Sequence, residues 1–115
     1  MHELSIAMSI LDALQEEVDQ RGCGHVEAVH VRIGALSGVA PEALQSAYQM
    51  ASAETSFSES RLVIEEIPIV IYCANCRSPQ TANPSSWFSC PECNQISREI
   101  LSGRELEISS LEVSA

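Results

Sequence analysis

Two cysteine pairs constrain this chain more than any other feature. Cys73-Ala-Asn-Cys76 is followed, after thirteen residues, by Cys90-Pro-Glu-Cys93. Two residues between cysteines let both sulfurs of one turn face a single ion. Two such knuckles complete the tetrahedral four-sulfur set that zinc takes in closed structural sites. The intervening length lies slightly below the usual zinc-ribbon window. The segment 69–101, about 33 residues long, is too short to bury much core, so metal is expected to supply most of its stability. Four thiolates leave no open position for water, which makes the predicted zinc structural rather than catalytic. Two disulfides or two free dithiols are the competing reading, and a reducing compartment disfavours the disulfides.

That compartment is expected from the rest of the chain. No apolar run approaches the ~20 residues that span a bilayer. The start Met1-His2-Glu3-Leu4 has no basic leader region or secretory pattern. A cytoplasmic protein with no membrane association is predicted. The formal charge is -10, and all six basic residues are arginines. So acidic a chain repels phosphate backbones, which need a basic footprint. A zinc-ribbon nucleic-acid or transcription-associated module is therefore the weaker alternative. Its segment would carry only Arg77 and Arg98 against Glu92 and Glu99. A thiol oxidoreductase would need one cysteine pair, not two. No acid, base and nucleophile converge, so no enzyme is predicted. Gly34-Ala-Leu-Ser37-Gly38 places its serine off the centre of a nucleophile elbow and lacks the lysine of a phosphate loop, so it reads as a strand-to-helix turn.

Around the cysteine segment, hydrophobic periodicity lays out an α+β fold. Leu4, Ala7, Met8, Leu11, Leu14 and Val18 recur at helical spacing over 3–21. Gly22-Cys23-Gly24 ends that helix. Val29, Val31 and Ile33 alternate with His30 and Arg32 in a strand over 26–33. Pro41 opens a second helix, with Leu44, Ala47, Tyr48 and Ala51 as its buried stripe. Residues 53–60 are polar and loop-like. A strand covers 61–67, and Pro68 breaks it. The last strand, 104–113, changes phase between Ile108 and Leu111, so a bulge near Ser109-Ser110 is expected. The predicted architecture is two helices on a three-stranded sheet with an inserted zinc-ribbon-like domain. Residues 1–68 plus 102–115 form the first unit and 69–101 the second. Residues 69–73 lead into the first knuckle as a strand. Trp87 and Phe88 are expected in the small unit's core. Cys23 reads as a turn residue, and His25 and His30 as surface or edge residues.

The first three residues are a second candidate metal site. The Met1 amine, the His2 backbone nitrogen and the His2 imidazole can close fused chelate rings on one ion. Such in-plane nitrogen donors suit Ni(II) or Cu(II). Glu3 could add its backbone nitrogen or its carboxylate. On spacing alone the signal is weak, and a disordered terminus with an incidental histidine and a dipole-favoured Glu3 is the better reading.

Three stretches in order decide between those readings: Met-His-Glu-Leu-Ser at the start, Val31 to Leu44 (VRIGALSGVAPEAL), and the two cysteine pairs. Together they resemble the HypA/HybF family of hydrogenase nickel-incorporation proteins over essentially the whole chain. The resemblance implies a nickel-binding α/β domain carrying a separate zinc domain. It implies His2 as the essential nickel ligand, assisted by the Met1 amine and Glu3, and Cys73, Cys76, Cys90 and Cys93 as ligands of a structural zinc. It implies Ni(II) as cargo, the HypB GTPase as partner, and the large subunit of [NiFe] hydrogenase as recipient; some members also serve urease maturation. This chain departs in having no histidine after His30, which removes a histidine-dependent switch at the zinc site. The insert leaves and rejoins at Pro68 and Gly103, so a homodimer by exchange of the zinc domain is a further expectation.

Overall fold

The computed structural model describes residues 2–22, 24–82 and 88–114. Helix α1 (Glu3–Arg21) ends where Gly22 enters the left-handed region at φ 64° and donates its N–H to the Val18 carbonyl at 2.8 Å. Glycine takes that conformation without a Cβ penalty. Strand β1 (His25–Gly34) follows, then α2 (Pro41–Ser52) and β2 (Arg61–Ile67). Next come β3 (Val70–Cys73), β4 (Ser78–Thr81) and β5 (Ile100–Ser102), and β6 (Leu106–Ser114) is last. Two three-stranded sheets result, ordered β2-β1-β6 and β4-β3-β5. In the first, β1 is central, parallel to β2 and antiparallel to β6. The α+β class and the two-helix, three-stranded framework expected from the sequence are both present.

The predicted bulge lies where the phase change required it. His30 pairs with Ser110 and Val31 with Ile108, so Ser109 is the extra residue. Its hydroxyl donates to the His30 carbonyl at 3.2 Å. Leu111 and Val113 share a side by alternation, and a second irregularity, with Glu27 the extra residue of β1, keeps Val26 opposite Val113. Leu106, Ile108, Leu111 and Val113 therefore share the helix-facing side of β6.

That side buries Val29, Val31 and Leu62 against Ala7, Ile10 and Leu14 of α1 and Leu44 and Tyr48 of α2. Helix α1 is rotated from the orientation its periodicity suggested. Ile10 is buried, whereas Leu4 and Met8 are 47% and 55% exposed. Apolar residues fill more than one stripe in the first three turns, and contact with the sheet selects the Ala7–Ile10–Leu14 stripe. The loop 53–60 is not wholly polar in its packing, because Phe57 is buried in the core. Its neighbour Ser60 shares a 2.6 Å hydrogen bond with the Tyr48 hydroxyl.

The opposite face of the sheet is charged. His30 Nε2 lies 2.5 Å from Glu112, Arg32 donates to Glu107 at 2.9 Å, and Arg61 approaches Glu112 at 3.7 Å. Glu112 is consequently held below the usual carboxylate range, chiefly by the His30 hydrogen bond. His30 thus sits on the central strand, half exposed, and ties it to β6.

The two sheets meet at a narrow waist. Gly34 donates to the Glu105 carbonyl at 2.7 Å, Ala35 to Ile67 at 3.0 Å and Leu36 to Gly103 at 2.6 Å. A Cβ on Gly34 would stand 2.1 Å from the Gly103 carbonyl oxygen. Only glycine allows the two backbones to pass so closely. Leu36 then reaches into the core of the second sheet.

Candidate metal centres

Strand β3 delivers Cys73 to the end of the second sheet. Cys76 follows after one tight turn, and Cys90 and Cys93 occupy the equivalent turn beyond β4. The four sulfurs all lie within 4.8 Å of one another. Cys73 and Cys93 are 3.6 Å apart, and Cys76 and Cys90 3.8 Å. These separations far exceed a disulfide bond. A tetrahedron of Zn–S bonds near 2.3 Å requires sulfurs about 3.8 Å apart, so the cluster fits one zinc ion. No other group of three or more such ligands occurs among the described residues.

The two knuckles share a device that cysteine spacing does not reveal. Arg77 and Asn94, each directly after the second cysteine of its pair, have φ of 56° and 63°. Each left-handed residue turns the chain back after its knuckle, and within each knuckle a backbone N–H faces a sulfur. Cys76 donates to Cys73 Sγ and Glu92 to Cys90 Sγ, both at 3.4 Å. Asparagine is a familiar occupant of this backbone region, and arginine is not. Asn94 was therefore the readable signal and Arg77 was not.

Thiol acidity within the cluster is uneven. Burial pushes Cys76 up to about 12, and its neighbouring thiols add to the rise. A backbone hydrogen bond from Gln95 leads a set of contacts that lower Cys93 to about 7. Zinc binds thiolates, so loading must expel protons and weaken as pH falls. Cys73 and Cys90 are buried beside Ile69, Ile71 and Ala82, whereas Cys76 and Cys93 are partly exposed. Phe88 does not join that core as the sequence suggested; it is 37% exposed. Trp87 and Cys23 lie outside the described residues.

At the other end of the chain His2 is the residue preceding α1. It is exposed, in an extended conformation, and its side chain makes no capping bond. The imidazole is free to take a ligand. Met1, the expected amine donor, lies outside the described residues. Glu3 has a definite task that sequence reasoning missed: its carboxylate accepts the backbone N–H of Ala40 at 3.2 Å. Ala40 precedes α2, so Glu3 stands in the first turn of one helix and at the N-terminus of another. Both helix ends favour a negative charge. The Ala40 hydrogen bond is the leading cause that lowers the Glu3 pKa from 4.5. The carboxylate is thus engaged by Ala40, and the Glu3 backbone N–H, which has no acceptor within the helix, is the second cause that lowers its pKa.

The fold and the cysteine cluster define a class: a small α+β protein whose second sheet ends in a closed four-thiolate centre fitted to zinc. Comparison with known proteins narrows this. Residues 1–113 match the family described as "Hydrogenase/urease nickel incorporation, metallochaperone, hypA". The hydrogenase maturation factor HypA of Chloroflexus aurantiacus is 39% identical over 112 residues, covering 97% of this chain and 98% of that protein. The HypA of a Roseiflexus species is 40% identical, with 97% and 91% covered. The solution structure of the Ni metallochaperone HypA from Helicobacter pylori superposes with a TM-score of 0.68 at 25% identity, covering 100% of this chain and 99% of the other. The chain belongs to the HypA family of hydrogenase nickel metallochaperones.

Proposed function

We propose that this chain binds Ni(II) at its N-terminus and delivers it during [NiFe] hydrogenase maturation, while Cys73, Cys76, Cys90 and Cys93 hold a structural zinc. The observation that carries the reading is the family match over 1–113 together with an exposed His2 at the start of α1 whose side chain makes no capping bond. The ligand set is the Met1 amine, the His2 backbone nitrogen and imidazole, and a fourth donor from Glu3. The Glu3 carboxylate accepts Ala40 on one oxygen and keeps further lone pairs, so either the carboxylate or the backbone nitrogen can supply that donor. In-plane nitrogen donors of this kind suit Ni(II).

In this reading residues 1–68 with 102–115 form the nickel-carrying domain and 69–101 the zinc domain. Nickel is cargo, so the protein works as a carrier rather than as an enzyme. Its partners are the HypB GTPase and the hydrogenase large subunit, and it acts in the cytoplasm. No helix among the described residues is long and apolar enough to cross a membrane. The three backbone hydrogen bonds at the waist join residues of the nickel-carrying unit to one another, so exchange of the zinc domain between two chains would leave them in place. A monomer at every concentration by light scattering would rule it out. Nickel titration of the untagged protein tests the main reading. His2→Ala should lose nickel binding and keep its zinc and its melting temperature. A variant that takes up nickel like the parent would overturn the assignment.

A further inference from the structure

Two helices do not cover the three-stranded sheet completely. A cavity of about 710 Å³ opens between α1 and β6, with His2 at one wall and Ile10, Val31 and Ile33 at its floor. A second, of about 540 Å³, continues it along Ala13 and Leu14 of the helix and Leu111 and Val113 of the strand. Ile108 lines both. Together they form one groove whose strand wall is apolar and unusually open. Leu106, Ile108 and Val113 are 41%, 37% and 48% exposed, although they occupy the helix-facing side of the sheet.

The helix wall is different in kind. Ser5, Ser9 and Ala13 recur at intervals of four and all line the groove. Small residues at that spacing form a shallow stripe along which another helix can approach closely. Leu106 to Val113 spans about 23 Å of strand. That length matches a helix of about 16 residues. The rim carries Glu16 beside a Glu17–Arg21 ion pair at 2.6 Å, so one acidic charge is in excess there. The chain as a whole carries -10.

We propose that this groove docks a basic amphipathic helix of a partner protein. The helix lies along the Ser5–Ser9–Ala13 stripe, its apolar face on Leu106, Ile108, Leu111 and Val113 and its lysines or arginines towards Glu16 and Glu17. Helix-in-groove recognition uses anchors at i, i+3, i+4 and i+7, which the strand wall would receive. Acidic charge on the surface disfavours a second copy as the occupant. His2 at the groove's end would put the partner beside the proposed nickel site. The proposal takes only that adjacency from the nickel reading.

The test is titration of a designed 16-residue helical peptide, leucines on one face and lysines flanking them, into the zinc-loaded protein without nickel. Binding is followed by fluorescence anisotropy and located by amide chemical shifts. The peptide should bind with shifts confined to α1 and β6. Ile108→Asp and Ser9→Arg should each weaken it about tenfold or more, as for a central anchor. Ser9 is exposed, so its variant remains informative if Ile108→Asp does not fold. Met50→Asp, on α2, should leave binding unchanged. Four results would overturn the proposal: no binding, equal binding of a glutamate-flanked peptide, indifference to both groove substitutions, or a parent dimer that Ile108→Asp converts to monomer. Pairing of an extended peptide with the free edge of β6, in place of the helix, would overturn it too. Nickel binding is measured separately, so failure here leaves the His2 assignment standing, and the reverse.

Discussion

Gly34→Ala tests the waist between the two sheets. The added Cβ would meet the Gly103 carbonyl oxygen at 2.1 Å, its carbon at 2.2 Å and the Arg104 nitrogen at 2.6 Å. All three are backbone atoms, so no side chain can swing aside. Ordinary van der Waals contact needs more than an ångström of extra room, and moving the 103–105 connection by that much breaks the Gly34–Glu105 and Leu36–Gly103 hydrogen bonds. Each contributes about 1 kcal/mol net, and its buried partners lose more when left unpaired. A total near 3 kcal/mol is expected. At this chain length that corresponds to a fall in Tm of roughly 10–15 °C. The assay is thermal unfolding of zinc-loaded parent and variant by far-UV circular dichroism, with urea unfolding as a second measure. A variant melting within about 2 °C of the parent would show that the close approach is not a feature of the folded protein.

Four further outcomes are expected. Ile10→Ala should cost about 2–4 kcal/mol by urea denaturation, and Met8→Ala less than about 0.5; the reverse order would mean that α1 presents its other stripe to the sheet. Tyr48→Phe, which removes the bond between the Tyr48 hydroxyl and Ser60 while Ser60 keeps its bond to the Phe57 carbonyl, should cost about 1 kcal/mol, and an unchanged urea midpoint would refute that contribution. Chelation of zinc should broaden the amide resonances of β3, β4 and β5 while those of β1, β2 and β6 persist; a spectrum unaffected by chelator would mean that metal does not hold the second sheet. Glu3 contributes stability above its unfolded pKa of 4.5 and loses it as pH falls through its depressed folded value. Glu3→Gln should therefore flatten part of the acid-induced fall in Tm, and parallel pH profiles for parent and variant would contradict the Ala40 contact.

Much of the framework could be read from local chemistry. Gly22 and Pro41 marked helix ends because one supplies a left-handed residue and the other needs no N–H. The phase change between Ile108 and Leu111 required a bulge, since a strand shows alternate residues to opposite faces. The cysteine spacing announced a four-sulfur cluster. What stayed hidden depends on partners distant in the chain. The Glu3–Ala40 contact joins residues 37 apart through a backbone donor, which has no signature of its own. The face that α1 buries is chosen by the sheet, because Leu4, Ile6, Met8 and Ile10 offer more than one apolar stripe. Strand order follows from how β6 returns to β1, and local periodicity does not encode it. The open groove was invisible for the same reason: Leu106, Ile108 and Val113 read as ordinary core residues until the helices were placed over their neighbours.

The central claim is that two metals occupy two separate sites. Its most direct test is elemental analysis of untagged parent and His2→Ala after exposure to Ni(II) and desalting, with nickel and zinc counted separately per chain. The parent should retain both metals, and the variant should keep its zinc and lose its nickel. Nickel retained by His2→Ala, or zinc lost with it, would contradict the account.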